Sequence, residues 1–460
     1  MLTKNNGRPT PLPYQADAVR GIEGFGGRAL LAHEMGLGKT ITSLEYLAHD
    51  PARYPAIVVC PASVKYSWEF EASRFGIQAD IAEGRTPPTR RETNPPRLFI
   101  INYDILKTWV PYLRKLGPQT IILDECHYLA SRESQRTEAV ADLVAGVSNV
   151  LALSGTPLTN RPAELWPTLN ILRPQQFDSF WLYGCEYCEP KQNRGKWEYK
   201  GAKNLKQLHR ILSETVMLRK RKIDVLSELP SKTRQTIPVA LSDSREYRRA
   251  SDDFLGWLQA TKADRVFAAK RAESVVKVGY LLRLAAKLKA RAVVGWANDF
   301  LKSTDEKLVL FGVHKKMIQV LKKRVAAKSV VVDGSVTGRR RKAAIDKFRL
   351  DRDTRVFIGN IRAAGTGIDG LQKAASTAAF AELWWRPGDM IQAEARVDRI
   401  GQENPVTINY LIAAGTIEER MALVLQAKQE VINATLDGDA DSVDELDILT
   451  EMIHEFERKI

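Results

Sequence analysis

The stretch Leu30-Leu-Ala-His-Glu-Met-Gly-Leu-Gly-Lys-Thr-Ile41 decides how the chain is to be read. The apolar run Ala29 to Ala32 predicts a strand, a Gly-rich turn follows, and Lys39 and Thr40 open an amphipathic helix. That succession is the anatomy of a phosphate-binding loop. Gly36 and Gly38 let backbone N–H groups approach an anion, and the helix N-terminus adds partial positive charge. Lys39 is placed to reach the outer phosphates of ATP, and Thr40 offers a hydroxyl to Mg²⁺. The strict pattern GxxxxGK[ST] is missed at one place, where His33 stands instead of the first glycine. A Gly-containing strand-to-helix turn without a ligand has the same outline, so residues further along the chain must decide between the two.

Outward from the loop, short apolar runs recur at Ile57-Val-Val-Cys60, Leu98-Phe-Ile-Ile101, Ile121-Ile-Leu123 and Val150-Leu-Ala-Leu153, separated by helix-like polar stretches. Such alternation predicts a parallel α/β sheet covered on both faces. A second series, Leu308-Val-Leu-Phe311, Val330-Val-Val332, Val356-Phe-Ile358 and Val406-Thr-Ile408, predicts a second α/β lobe. Between them, about Arg161 to Ser303, the sequence is richer in Trp, Lys and Arg and reads mostly helical, without strand alternation of its own. The expected division is 1–160, first lobe; 161–303, helical insertion and basic linker; 304–436, second lobe; 437–460, acidic linker and terminal helix. The acids from Asp437 to Asp447 read either as a solvated linker or as a mask over a basic groove.

A chain of 460 residues with 44% hydrophobic and 27% charged residues suits two or three soluble domains. No apolar run is long enough for a membrane span, and the N-terminal residues lack the apolar region of a signal peptide. Four cysteines in this length fit a reducing interior, and the compact length leads to the expectation of a bacterial or phage-infected cell interior, or a nucleus if the host is eukaryotic. The net charge of +14 suits a polyanionic partner.

Thr120-Ile-Ile-Leu-Asp124-Glu125-Cys-His127 sets two carboxylates at the carboxyl end of an apolar strand, where open α/β sheets bind ligands. There Asp124 can hold Mg²⁺ through water while Glu125 positions and polarises the attacking water. His127 either couples this pair to the next motif or bonds nearby backbone. Ser154-Gly-Thr-Pro157 follows another apolar strand and should lie near the same edge. Far downstream, Asp389 to Gln402 reads as a helix capped by Asp389 and ending near Gly401. Gln392, Arg396 and Arg399 would then share one face, and two planar guanidinium groups there suit a phosphate, as arginine fingers donated across a cleft. Ala364-Gly-Thr-Gly-Ile-Asp-Gly370 is a second Gly-rich turn of the kind that holds phosphate oxygens. Cys185-x-x-Cys188 invites a zinc reading, but no second pair supplies the remaining ligands.

Taken in order, these residues resemble the Swi/Snf-type branch of superfamily 2 helicase-like ATPases over most of the chain. Tyr14-Gln15 stands where that branch places the pair ahead of its P-loop, and the resemblance implies that Gln15 reads adenine. Cys60-Pro-Ala-Ser with Trp68 and Glu69 is similar to motif Ia, Asn102-Tyr103 to motif Ib, Asp124 to His127 to motif II, and Ser154 to Asn160 to motif III. Leu218-Arg-Lys-Arg-Lys-Ile-Asp-Val225 with Leu229-Pro230 resembles the basic linker between the lobes. Phe311 to His314, Gly334 to Arg341, the Gly-rich turn and Gln392 to Gln402 resemble the motifs of the second lobe. Ala381-Glu-Leu-Trp-Trp-Arg-Pro-Gly388 is most similar to the annealing-helicase-like (HARP-like) subgroup. The resemblance implies nucleotide contacts from Gly367 and DNA contacts from Ser63, Lys65, Tyr103 and Thr366. The chain departs from the family pattern in three places: His33 stands for an acid, Ile368-Asp-Gly370 for Leu-Asn-Leu, and Asp398 for His.

The resulting expectation is two RecA-like lobes, parallel sheets covered by helices, with a helical insertion between them. The activity expected is hydrolysis of ATP by a monomeric translocase on double-stranded or forked DNA that remodels protein–DNA complexes, rearranges forks or reanneals strands and needs no membrane. Two alternatives stand beside it: a strand-separating DNA or RNA helicase, and an ATP-gated DNA clamp or assembly factor. No separating wedge is evident, although 161–303 has room for a short hairpin.

Overall fold

Runs that are apolar at every position, not at alternate ones, make strands that are buried on both faces. In a computed structural model of the chain, residues 4–5, 8–88, 96–193, 195–225, 230–260, 267–336, 338–364 and 368–438 are described. The first strands are β1 (Arg28–Leu31), β2 (Ala56–Cys60), β3 (Ala79–Ile81), β4 (Leu98–Asn102), β5 (Thr120–Asp124) and β6 (Asn149–Leu153), of which all but the partly exposed β3 are largely of this kind. A small hairpin, β7 (Lys191–Asn193) with β8 (Lys196–Glu198), comes next, then β9 (Met217–Leu218). The later strands are β10 (Lys232–Val239), β11 (Leu308–Gly312), β12 (Lys328–Val332), β13 (Thr354–Asn360), β14 (Thr377–Phe380) and β15 (Val406–Ala413).

Contacts divide the chain into two units, one built on the residues up to Glu228 with a return segment from Glu430, the other on Leu229–Gln429. In the first unit the strands pair in the order β9-β1-β6-β5-β2-β4-β3, all parallel. Successive side chains alternate between two cores: Leu30, Ile57, Val59, Ile121 and Leu123 on one face, Ala29, Leu31, Val58, Cys60 and Ile122 on the other. In the second unit the order is β10-β15-β14-β11-β13-β12, again all parallel, with Val309 and Phe311 on one face and Leu308 and Leu310 on the other. The parallel sheets with helices on both faces are the two lobes expected from sequence.

The stretch 161–303 holds more than helices. The helices Trp166–Leu172 and Phe180–Tyr187 bury residues in the first unit's core, while Phe267–Ser303 contributes to the cores of the second. The hairpin β7–β8, β9 and β10 also lie here, and periodicity hides them because the hairpin and most of β10 are polar and exposed. The acidic segment from Asp437 begins differently from its reading as a solvated linker. Asp437 closes the helix Ile417–Asp437 and takes two hydrogen bonds from Arg219, at 2.6 and 3.1 Å, with both side chains largely buried. The remaining acids of that patch lie outside the described residues. No helix among the described residues is long and apolar enough to cross a membrane.

One buried ion pair ties the long helix Phe267–Ser303 to its sheet. Lys289, fully buried, donates to Glu418 at 2.7 Å and to the Leu411 carbonyl at 2.6 Å, and Glu418 also accepts from Ala413 N at 2.9 Å. Removing one partner of such a pair leaves an uncompensated buried charge. Lys289→Ala is expected to destabilise the second unit by about 3–5 kcal/mol in urea unfolding, and adding Glu418→Gln to recover part of that loss. A loss below about 1 kcal/mol would mean that Glu418 is reached by water.

Candidate functional site

Strand register brings three distant segments to one edge. Leu31 pairs with Leu153, and Leu153 with Asp124, so the carboxyl ends of β1, β6 and β5 lie side by side. The segments that continue from them are the P-loop, Ser154-Gly155, and Glu125.

In the P-loop Gly36 and Gly38 both hold positive φ, 88° and 71°, and Gly38 caps the helix Lys39–His49. Lys39 curls back over the turn, its ammonium donating to the His33 carbonyl at 2.8 Å. Thr40 stands partly exposed in the first helical turn. Gly155 lies against the loop: a Cβ there would meet Met35 Cγ at 2.3 Å and Lys39 Nζ at 3.2 Å. The glycine of Ser154-Gly-Thr-Pro157 is therefore what lets the two segments touch. Gln15 spends Oε1 on Leu12 N at 2.9 Å and Nε2 on the Leu37 carbonyl at 3.2 Å, and Tyr14 donates its hydroxyl to the same carbonyl. The pair fixes the loop from beneath, and for Gln15 to read adenine it must exchange one of these bonds.

Asp124 Oδ2 accepts from the indole N–H of Trp68 at 2.7 Å and Oδ1 from Glu125 N at 3.0 Å. Burial, and then the neighbouring Glu125 charge, raise its pKa to about 7, although Trp68 and Lys39 pull the other way. Glu125 sits at φ 52°, a left-handed conformation that costs energy in a non-glycine residue and turns its carboxylate off the strand. Its Oε2 meets Ser154 Oγ at 3.3 Å and His127 Nδ1 at 3.2 Å, and His127 Nδ1 lies 3.2 Å from Ser154 Oγ. Of the two readings open for His127, the structure selects the coupling one: the imidazole joins Glu125 to Ser154.

The basic linker packs on the P-loop. Glu34 N donates to the Lys220 carbonyl at 2.9 Å, and the Glu34 carboxylate accepts from Lys222 N at 2.8 Å. Arg219 bonds the Ala32 carbonyl at 2.9 Å. His33 is buried beside these cations, with its ring edge-on to Tyr14. Burial first, then Lys39, Lys220 and Arg219, depress its pKa to about 3, so the imidazole is neutral.

One of the expected DNA contacts, Tyr103, is placed otherwise. Tyr103 is only 3% exposed, donates its hydroxyl to the Asp124 carbonyl at 2.9 Å and stacks on Tyr128, so its ring buttresses the carboxylate turn and is not available to DNA. Lys65 ties its ammonium to the Ala82 carbonyl at 2.8 Å, and Ser63 is half-buried next to it. Thr366 and Gly367 lie outside the described residues.

In the second unit the expected helix over 389–402 is shorter. It spans Pro387–Glu394 with Arg386 as its N-cap, Pro387 at N1, and Asp389 holding the Trp384 indole N–H at 2.8 Å. Arg396 and Arg399 therefore do not share a helical face with Gln392. They stand on turns closed by Arg396 N to Ala393 O and Gln402 N to Arg399 O. Tertiary contacts hold the residues at its end. Glu394 is buried and takes a forked bond from Arg234, the hydroxyl of Tyr410 and the ammonium of Lys232, while Asp398 pairs with Lys232 at 2.8 Å. Asp398, where the resembling family carries His, thus fits a lysine on the adjacent sheet edge. Arg396 donates to the Ile368 carbonyl at 2.8 Å, and Arg399 lies 3.2 Å from Asp369, so the Gly-rich turn and the arginine turn hold each other. Sequence reasoning misses the parts played by Trp68, Arg234 and Glu394. An indole or a carboxylate among apolar neighbours is the signal, since buried polar groups require partners.

Among the described residues no cluster of three or more metal-ligating side chains occurs, both Cys185 and Cys188 are free thiols, and burial raises the Cys188 thiol to about 12.

Residues 23–290 match the SNF2-related domain, and residues 290–401 the Helicase conserved C-terminal domain. The human protein "DNA annealing helicase and endonuclease ZRANB3" is 32% identical over 448 residues, covering 94% of this chain and 41% of its own length. The Xenopus tropicalis "SWI/SNF-related matrix-associated actin-dependent regulator of chromatin subfamily A-like protein 1" is 33% identical over 425 residues, covering 92% and 44%. The chain spans less than half the length of these two curated relatives. The solved "Sulfolobus solfataricus SWI2/SNF2 ATPase core in complex with dsDNA" aligns over 95% of this chain and 96% of its own, with a TM-score of 0.45 and 21% identity.

The neutral His33 makes a pH prediction with a definite sign. Its folded pKa is depressed, so on acidification the unfolded chain takes up a proton that the folded one refuses, and stability is lost as pH falls below about 6.5. Between pH 7.5 and pH 5, His33→Gln is expected to gain about 2 kcal/mol relative to the unmodified protein in urea unfolding of the first unit. A pH-independent difference would show that the imidazole is reached by solvent.

Proposed function

Because the chain belongs to the SNF2-related family, we propose that it hydrolyses ATP to drive translocation along double-stranded DNA. The observation that carries this reading is the convergence of Lys39, Asp124, Glu125 and Ser154 at one sheet edge. Lys39 exchanges the His33 carbonyl for the outer phosphates, and the Gly36–Gly38 turn offers its N–H groups to them. Mg²⁺ fits here: the desolvated Asp124 carboxylate gains from a cation, Thr40 adds a hydroxyl, and such an ion needs only one or two carboxylates besides phosphate. When bound, it neutralises charge on the phosphates. Glu125, fixed by His127 and Ser154, orients the attacking water. Arg396 and Arg399 stabilise the developing charge, and Gln15 is assigned to adenine by family resemblance. Gly367 and Thr366 are assigned to nucleotide and DNA, and Ser63 and Lys65 to DNA phosphate, by family resemblance.

Forked or partly paired DNA is the proposed substrate, since one relative is named a DNA annealing helicase. The basic charge of +14 favours a grip on the phosphate backbone that is largely independent of sequence and weakens with salt.

Triplex displacement run beside fork unwinding tests the task. Displacement of a third strand without net unwinding is expected; unwinding would make the chain a helicase, and neither activity despite ATP-dependent retention of DNA would make it a clamp. Lys39→Ala should abolish ATP turnover and spare most DNA binding, whereas equal loss of both would mean that the loop is structural. Arg399→Ala should keep ATP affinity and lower turnover by about 10³-fold or more, as loss of an arginine finger does. Unchanged turnover would remove Arg399 from the chemistry.

A further inference from the structure

Arg396 and Arg399 stand beyond the end of the helix Pro387–Glu394, so the repeating bonds of a helix do not aim them. Turn bonds take their place: Arg396 N and Val397 N donate to the Ala393 and Glu394 carbonyls at 3.1 and 3.0 Å, and Gln402 N to that of Arg399 at 3.0 Å. A turn so short keeps one shape only when neighbouring groups lock it. Locks stand on both sides. Before the arginines, Glu394 is buried and gripped by Arg234 and Tyr410. After them, Gln402 is buried, with Nε2 donating to the Ala375 and Val397 carbonyls at 3.0 Å each and Oε1 accepting from Glu403 N and Asn404 N.

Between the arginines Val397 is buried in the core, and Asp398, next to it, is buried too and meets Lys232 Nζ at 2.8 Å. Lys232 Nζ also lies 3.6 Å from Glu394, so one ammonium sits between the two acids that flank Arg396 in the chain. A buried carboxylate attracts any guanidinium within reach until another cation meets it. Here Lys232 meets Asp398, and Arg399 lies 3.2 Å from Asp369 on the Gly-rich turn. Lys232 is itself carried by the sheet: it opens β10 and stands in register with Val406 of β15. Groups mounted on strands hold their place better than groups on loops.

We propose that Lys232 is a positioning residue for the arginine pair: by holding Asp398 and Glu394 to the sheet edge, it fixes the turn from which Arg396 and Arg399 reach the developing charge. The proposal rests on the reading of those arginines as fingers. A misplacement of about 1 Å in such a group can cost on the order of 10²-fold in rate, because the charge it meets exists only in the transition state. Nucleotide binding in the ground state does not feel that loss.

The test uses the whole chain with duplex DNA and two probes, fluorescent ADP alone and the same ADP with aluminium fluoride, which mimics the phosphoryl group in transfer. Lys232→Met keeps the stem, removes the ammonium and leaves Glu394 to Arg234 and Tyr410. It should weaken the aluminium fluoride complex and lower kcat by about tenfold or more, while affinity for ADP alone and the KM for ATP stay within about twofold. Lys232→Arg, which keeps the cation, should hold all four within about threefold. Lys232→Met with Asp398→Asn removes both charges of the pair, so its urea midpoint should return toward that of the unmodified chain while the loss on the aluminium fluoride complex persists. Recovery of that complex in the paired variant overturns the proposal, because the loss then came from an uncompensated charge. Unchanged aluminium fluoride affinity in Lys232→Met overturns it as well, as does an equal loss for ADP alone. Arg399→Ala in the same assay separates the two readings. If it weakens the aluminium fluoride complex and Lys232→Met does not, the finger stands and the positioning role alone fails; if neither weakens it, both fail.

Discussion

Parallel pairing of β1 with β6 and of β6 with β5 is the constraint on which the first unit's chemistry depends. Parallel strands all present their carboxyl ends at one edge, and adjacency in the sheet replaces proximity in the chain. Leu31, Leu153 and Asp124 end in a common row, so a loop, a glycine and a carboxylate that are far apart in sequence converge. Gly155 makes the convergence close enough to matter, since any side chain there would push on Met35 and Lys39.

Charge at this edge is arranged by burial as much as by pairing. The Asp124 carboxylate is held half-ready by desolvation, its geometry fixed by Trp68 from one side and the Glu125 amide from the other. Glu125 accepts a strained backbone, and its carboxylate meets His127 and Ser154. His33 stays neutral among three cations, so the residue that departs from both the loop pattern and the family adds no charge of its own. Its carbonyl, which any residue would supply, is the part that Lys39 uses.

Most of the sheet strands are legible in the sequence because a strand buried on both faces must be apolar throughout, and such runs stand out in a charged chain. The P-loop and the Asp124–Glu125 pair are legible because their chemistry demands particular residue types at fixed spacing. Polar strands are not: β10 is mostly exposed along its length and pairs only with β15, so no hydrophobic pattern marks it. The arginine turn reads as helix since Gln392, Arg396 and Arg399 have helical spacing, while the bonds that hold the end of the helix come from Arg234, Lys232 and Tyr410, outside that stretch of sequence. Resemblance gives Tyr103 to DNA, and only tertiary packing reveals its hydroxyl behind Asp124. Asp437 reads as solvated because its partner Arg219 lies 218 residues away.

In the proposed function the carboxyl edge of the first unit's sheet is an engine that duplex DNA switches on. Steady-state ATP turnover of the whole chain, titrated with blunt duplex at low and at moderate salt, is the decisive experiment. Turnover should rise with duplex to a plateau, with the half-saturating concentration climbing steeply as salt is raised. Turnover that is the same with and without duplex at every salt concentration would contradict the engine.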